Sequence, residues 1–358
     1  MAALSSAQIA IIGKSTLDFH LKNKPIDQVA QDKPLLQALN KTKQAFAGAK
    51  EYIVETLRTN YGSNATWFSG SGQGTIGYNS RDSLAQAKYS WYQLHDGMEM
   101  SEAELRANGI TVDDDGGAPS TVSEADRIQL VDLWQENTEV LRLGCQEKFD
   151  HALHLNGSGG ADQMVGLDGL LPTVNNVGVV GGIDRATAGN AYWRHHADLT
   201  LTTANMLKQM EKAWRECIRK GGERPNFILA GQDFIDAYVA ATTTASAAGG
   251  IQRTITAGKG GTDMDGAVSG VFFKGVEIKW DPTFDDDVAG MDTPTVAWSK
   301  RCYFLNTNHI KLRPLKNDDF RSRAPKRDKG AYSIAVAILW RGTLTMNQSN
   351  CHAVLALA

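Results

Sequence analysis

The chain has 358 residues, 42% of them hydrophobic and 22% charged, with a formal net charge of −3. That length is too great for one small core and implies two or three subdomains, and the near-neutral charge exerts no global pull toward nucleic acid or anionic membranes. No apolar run approaches the roughly 20 residues that span a bilayer, so no membrane partner is expected. The opening MAALSSAQIAIIGKST lacks the basic start and apolar core of a secretory signal. Cys145, Cys217, Cys302 and Cys351 lie far apart, form no CxxC pair, and are expected to be reduced, mostly buried thiols of a cytosolic product. Glycine is over-represented, at 35 residues, or about a tenth of the chain against roughly 7% on average.

Residues 1–60 are polar and interrupted by Pro25 and Pro34, with a helical pattern only from about Leu35 to Leu57. Such a segment buries little by itself and is expected to lie across another surface. Residues 62–80, GSNATWFSGSGQGTIGYNS, mix Gly, Ser and Asn with Trp67, Phe68, Ile76 and Tyr78. A solvated linker rarely carries such aromatics, whereas an extended hairpin docking elsewhere would. Ser83–His95 reads as weakly helical, and Asp113–Ser120 is a clear break.

Ser123, with Asp126 three residues on, begins the strongest helical pattern. Ile128, Val131, Trp134, Leu141, Cys145, Phe149 and Ala152 follow at near-helical spacing, and Asn156-Gly157 ends the run. About 30 helical residues make a rod of roughly 45 Å, which suits a strut. A second helix is expected over Thr203–Lys220, with Leu207, Met210, Trp214 and Cys217/Ile218 as its stripe and Gly221-Gly222 as its stop. NFILAG reads as a short buried strand and QDFIDAYVAATT as a third helix. VEIKW alternates, with Val276, Ile278 and Trp280 on one face. CYFLN, HIKLR, AYSIAVAILW, TLTMN and HAVLAL read as further strands. In AYSIAVAILW the small residues Ser333, Ala335 and Ala337 share a face, which suggests close approach of a helix there. This order implies α+β with largely antiparallel sheets and no βαβ winding.

Candidate chemistry fails on inspection. Gly72–Gly77 spells GxGxxG, but no apolar strand precedes it and no amphipathic helix follows it. Gly13-Lys14-Ser15 imitates the end of a phosphate loop, yet Gln8 stands where its first glycine belongs. His151 and His154 could share a helical face, but a metal needs a third ligand, and their expected role is that of polar residues at a helix end. His195 and His196 point to opposite sides of an extended backbone. Asp113–Asp115 and Asp285–Asp287 lack the spacing of a calcium loop and read as solvated tips. No GxSxG elbow occurs. No cofactor, metal or catalytic residue is therefore expected. The basic run Lys311–Lys329 is a candidate subunit-pairing surface, with contact to packaged nucleic acid as the alternative.

The stretch LDGLLPTVNNVGVVGGIDRATAGNAYWRHH, after the long helix, carries a resemblance to known proteins. Leu167, Gly169-Leu170, Gly181-Gly182-Ile183-Asp184-Arg185 and Trp193-Arg194 match a segment common in tailed-bacteriophage major capsid proteins of the Hong Kong 97-type (Johnson) fold. YFLNTNHIKLRPL and YSIAVAILWRGTLTMNQSNCHAVLAL resemble the final strands of that family. The resemblance implies an α+β capsid fold with an N-terminal arm over 1–60 and an extended-loop (E-loop) region over 61–122. A peripheral (P) domain with its spine helix would span 123–185, an axial (A) domain 186–325, and 326–358 would return to the P-domain sheet. Trp67, Phe68, Ile76 and Tyr78 would be the E-loop contacts to a neighbouring subunit. Gly181, Gly182, Asp184, Arg185, Trp193 and Arg194 would form the P/A junction, with Asp184 and Arg185 as a charge pair.

The implied function is self-assembly into an icosahedral shell of hexamers and pentamers around the double-stranded DNA of a tailed phage. Such a protein locates to the virion, and to host cytoplasm during assembly. Portal and decoration proteins are implied partners. No helical acidic region precedes the arm, so a separate scaffolding protein is expected. A start at Met1 suggests no arm cleavage, and the absence of lysine between Lys50 and Lys88 suggests no isopeptide crosslink in the loop. The same fold builds encapsulin compartments, and a nucleotide-binding soluble enzyme is the remaining alternative.

Overall fold

The structure is a computed structural model, and it describes residues 31–48, 51–61, 63, 65–68, 70, 77–78, 80, 83–101, 124–159, 162–247, 271–285, 295–327 and 333–358. Gly13–Ser15, the Gly72–Gly77 motif apart from Gly77 itself, Ile76, Asp113–Asp115, Ser123, Asp286 and Asp287 lie outside them, as do the side chains of Ile128, Val131 and Trp134. The chain divides into two compact units, one of Met1–Gln31, Gln93–Asp150 and Leu315–Arg341, the other of Asp32–Tyr92, His151–Pro314 and Gly342–Ala358.

The first unit is a helix on a sheet. Helix α2 (Glu124–His154), which follows α1 (Pro34–Lys41) in the chain, runs for 31 residues. Leu141, Cys145 and Phe149, each four residues after the last, are buried, while Val140 and Leu143 on the opposite side are exposed. That narrow stripe meets Val336 and Ile338 of β13 (Ser333–Met346), with Leu94 and Met98 of β3 (Tyr92–Ser101) and Phe320 at its margins. Phe149 packs against Trp340 at 4.5 Å and edge-on against Phe320 at 5.2 Å. Strand β12 (Arg321–Arg327) pairs antiparallel with β13, and β3 pairs with β13 as well.

Here two expectations are corrected. AYSIAVAILW and TLTMN are one continuous strand, because Arg341-Gly342 stays extended inside the ladder instead of turning. The helix covers the face of Val336 and Ile338, not the alanine face, because burying branched side chains removes more apolar area from water.

In the second unit, a six-stranded mixed sheet has the order β6 (His196–Leu201), β14 (Ala353–Leu357), β10 (Arg301–Leu305), β7 (Phe227–Ala230), β9 (Val276–Trp280), β8 (Val271–Phe273). Most pairs are antiparallel as expected, but β14–β6 and β7–β9 are parallel. The second pair encloses α5 (Gln232–Ala247), so one strand–helix–strand crossover exists that the element order had not suggested. Helix α4 (Met206–Gly221) buries Met206, Met210, Trp214 and Cys217 against Ile228, Phe304 and Leu355, beside Phe234 and Tyr238 of α5. It stops at Gly222, whose φ of 77° is the left-handed cap that glycine adopts without strain. Trp280 is half exposed, with its indole N–H donating to Asp285 at 2.6 Å, so the expected apolar face of VEIKW reduces to Val276 and Ile278.

The region before β6 also departs from expectation. The helical pattern of 35–57 resolves into α1 alone, followed by β1 (Tyr52–Arg58), and Ser83–His95 is extended as β2 (Leu84–Ser90) and the start of β3. Isolated short helices are marginal in water. Here Ile53, Val54, Thr56 and Tyr89 favour a ribbon that buries Leu57, Ala87 and Tyr89 on one face. Residues 44–46 hydrogen-bond to β11 (Ile310–Pro314), which pairs with the last residues of β13. The four cysteines are free and buried, and burial pushes the Cys145 and Cys217 thiols up to about 11 and about 12.

Candidate functional site

The glycine-rich stretch forms a hairpin braced by one arginine. Val179–Val180 (β4) and Ile183–Asp184 (β5) pair antiparallel, leaving Gly181 and Gly182 as a two-residue turn with φ of 61° and 77°. Positive φ at both positions is the mirror-image turn that suits a strand's twist and that glycine fills. A Cβ on Gly181 would lie 2.8 Å from the Ala87 Cβ, whereas one on Gly182 would meet open space. Lys88 N–H donates to the Gly181 carbonyl at 2.8 Å, seating the turn on β2. The glycines therefore reverse the chain between β4 and β5.

Arg185 follows and is fully buried. It donates through Nε to the Trp193 carbonyl at 3.0 Å, and through Nη2 to the Leu170 carbonyl at 2.6 Å and the Ser349 hydroxyl at 3.2 Å. Burial lowers its pKa to about 10. Asp184 is not its partner. The Asp184 carboxylate accepts from Ala186 N–H at 2.9 Å and the Thr187 hydroxyl at 3.1 Å, closing the following turn. The expected charge pair is thus replaced by two separate roles, because adjacent residues of a strand point to opposite faces. Trp193 is buried with its indole N–H on the Val180 carbonyl at 3.0 Å. Arg194 clasps the Arg185, Ala186 and Thr187 carbonyls at 2.7, 3.1 and 3.2 Å.

Four of the six junction candidates, Asp184, Arg185, Trp193 and Arg194, join one hydrogen-bonded network, and Gly181-Gly182 shape the hairpin beside it. Its acceptors are mainly carbonyl oxygens. His195 is buried, and its Nε2 donates to the Pro172 carbonyl at 2.7 Å; burial and the nearby Arg185 hold its pKa well below the usual histidine value. His154 is equally buried against Asp281, Nε2 to Oδ2 at 2.7 Å. Among the described residues no group of three or more His, Cys, Asp or Glu could hold a metal.

Sequence reasoning missed a second buried cation. Arg301 bonds Asp168 at 2.7 Å and stacks 4.0 Å over the Trp298 ring, on the 4-residue helix α3 (Leu167–Leu170) side of the same unit. A charge inside the otherwise apolar run RCYFL was the available signal.

The loop joining β1 and β2 contrasts with this interior. Trp67 is 100% exposed, Tyr78 91% and Phe68 48%. On the ribbon below, Tyr52, Val54 and Leu84 are exposed too, all on the face away from Leu57, Ala87 and Tyr89. Side chains of this size in water mark a contact surface.

No protein-family model and no curated protein sequence matches the chain. Solved structures do match along the full length. The capsid asymmetric unit of cyanophage A-1(L) superposes with a TM-score of 0.58 at 14% identity, covering 94% of this chain and 96% of that one. Microbacterium phage Oxtober96 gives 0.52 at 12% identity with 100% of each chain covered. The capsid of a native GTA particle gives 0.51 at 11% identity, covering 99% and 100%. With coverage nearly complete in both directions, the chain has the Hong Kong 97-type capsid fold.

Proposed function

We propose that the chain is the major capsid protein of a tailed double-stranded DNA phage, building an icosahedral shell from hexamers and pentamers. The full-length likeness to two capsid structures, of cyanophage A-1(L) and of a GTA particle, carries the reading. It is supported by a loop that holds Trp67 and Tyr78 almost fully exposed and Phe68 half exposed. Its role is structural: each copy buries its loop on a neighbour, and many modest contacts repeat under closed symmetry.

In this reading 1–60 is the arm, 61–122 the E-loop region, 123–185 and 326–358 the P-domain and 186–325 the A-domain. Trp67, Phe68, Ile76 and Tyr78 anchor the loop on the adjacent subunit, because aromatics supply large area with few rotors to freeze. Gly181, Gly182, Asp184, Arg185, Trp193 and Arg194 hold the P/A junction rigid. A separate scaffolding protein, a portal and a decoration protein are the accompanying partners, and the protein resides in the virion after assembly in host cytoplasm. The test is negative-stain electron microscopy of the expressed chain, with and without its scaffolding protein. Closed shells are expected, and a persistent monomer under both conditions would sink the proposal. Shells that never take up DNA in infected cells would favour a cargo compartment.

A further inference from the structure

Helix α4 carries its charges in an order that folding alone does not require. Lys208, Lys212, Arg215 and Arg219 are all exposed. On a regular helix these four positions fall within an arc of about 60° and run roughly 16 Å along the axis. The two acids of the helix flank this line and are engaged. Glu211 pairs with Lys274 at 2.8 Å, and Glu216 with Arg219 at 2.7 Å and Lys220 at 3.4 Å. Among the described residues Lys208, Lys212 and Arg215 pair with no carboxylate, and Arg215 Nε donates to the Glu211 carbonyl at 3.3 Å. Arg219 and Lys220 suit the negative end of the helix dipole, but Lys208 lies in the first turn, which holds no acid. Cations four residues apart, as Lys208 and Lys212 or Arg215 and Arg219, repel one another, and a helix face built only for solvation interleaves both signs.

The same unit presents the opposite sign at the start of α5. Asp233 and Asp236 are exposed there. The Asp285 carboxylate lies beside them, accepting the Gln232 N–H at 3.3 Å and the Trp280 indole N–H at 2.6 Å. Asp233 accepts the Ser299 hydroxyl at 2.6 Å. Asp233 and Asp285 serve the helix start, whose positive dipole end they offset. Asp236 stands further along the helix and pairs with no cation among the described residues. Each copy therefore shows a positive helix side and a negative helix start, and two such patches pair head to tail, the heterologous contact that closes into rings.

We propose that the line of Lys208, Lys212, Arg215 and Arg219 on one copy docks on the acidic start of α5, at Asp233 and Asp236, of a second copy. The inference rests on the shell reading above, which supplies neighbouring copies in closed rings. Exposed ion pairs hold little by themselves. Their part is to steer approach, set register and reject like-charged placements. A free polyanion satisfies the basic line and leaves Asp236 unmatched, whereas a second copy satisfies both.

The test is charge reversal in the full chain, read by sedimentation velocity and particle yield at low salt. K212E/R215E lowers assembly by about 10-fold and D236K lowers it less, while K212E/R215E/D236K, with both signs exchanged, regains about half of the loss. Circular dichroism checks folding, and K212Q/R215Q carries the test if the reversed chain misfolds. Normal assembly of the folded K212E/R215E variant would overturn the proposal, as would a folded triple variant that regains nothing. So would a variant that assembles normally but no longer binds a labelled duplex, which assigns the basic line to nucleic acid. Sedimentation reads small oligomers as well as shells, so the two readings fail separately. Oligomers that lose association on reversal but never close into shells defeat only the shell reading, and shells indifferent to reversal defeat only this one. A wild-type chain that stays monomeric defeats both.

Discussion

The Arg185 guanidinium meets the Leu170 carbonyl oxygen at 2.6 Å inside a fully buried site, and its three acceptors are all uncharged. A lone buried cation is costly unless hydrogen bonds replace its water. This one ties the short helix at Leu167–Leu170, the 3₁₀ segment at Ala188–Trp193 and the Ser349 turn to a single side chain.

Arg185→Lys keeps the charge but cannot reach three diverging acceptors. We expect a loss of about 2–4 kcal/mol of stability, read as a lower urea midpoint at unchanged m-value. A midpoint within error of wild type would show that the clasp contributes nothing.

The two turn glycines separate strain from space. Gly182→Ala forces an L-residue to positive φ in open surroundings and should cost about 1 kcal/mol. Gly181→Ala adds a clash with Ala87 and should cost clearly more, about 2–3 kcal/mol. Thermal melts of the two variants give the comparison, and equal losses would contradict the seating of the turn on β2.

His352 is buried, accepts the Asn306 N–H on Nδ1 at 3.1 Å, and lies near Arg185 and His309. Burial lowers its pKa to about 3, and that of His195 is lowered in the same direction. The unfolded chain protonates both near the ordinary value of about 6.5. Their contribution is therefore fully present above that pH and is lost as pH falls from about 6.5 toward 3. Each histidine should remove up to about 1.4 kcal/mol per pH unit well below 6.5. Urea midpoints taken from about pH 7 down to about pH 4.5 check this, with His352→Asn expected to flatten the slope.

Trp67→Ala tests the proposed function without disturbing the fold. A fully exposed side chain contributes little to folding, so stability should stay within about 0.5 kcal/mol. Shell yield and heat resistance should drop, as seen by sedimentation and microscopy. A variant that assembles normally would remove the loop from the interface.

The parts most legible in the sequence are those governed by helical period. The stripe of Leu141, Cys145 and Phe149 and that of Met210, Trp214 and Cys217 needed only their own spacing, and Gly222 marked a stop by its backbone freedom. The ribbon was hidden because Leu84–Ser90 carries Ala and Lys, good helix formers, and is extended because it pairs with β1 along its length and buries Ala87 and Tyr89, whose hydroxyl donates to the Met346 carbonyl at 2.7 Å, 257 residues away. The junction residues were singled out by a resemblance, yet Arg185's partners Leu170 and Ser349 come from distant turns that no local pattern joins to it. Asp184 and Arg185 looked paired because adjacency in sequence suggests contact, which an extended backbone denies.

The buried thiols give each unit a clock of its own. Cys145 sits in the helix–sheet layer, while Cys217, Cys302 and Cys351 lie in the larger unit. With pKa values raised by burial, none reacts while its surroundings stay closed. Alkylation therefore proceeds only as fast as the structure opens, and mass spectrometry can time that opening separately for each layer in the free subunit and in the finished particle.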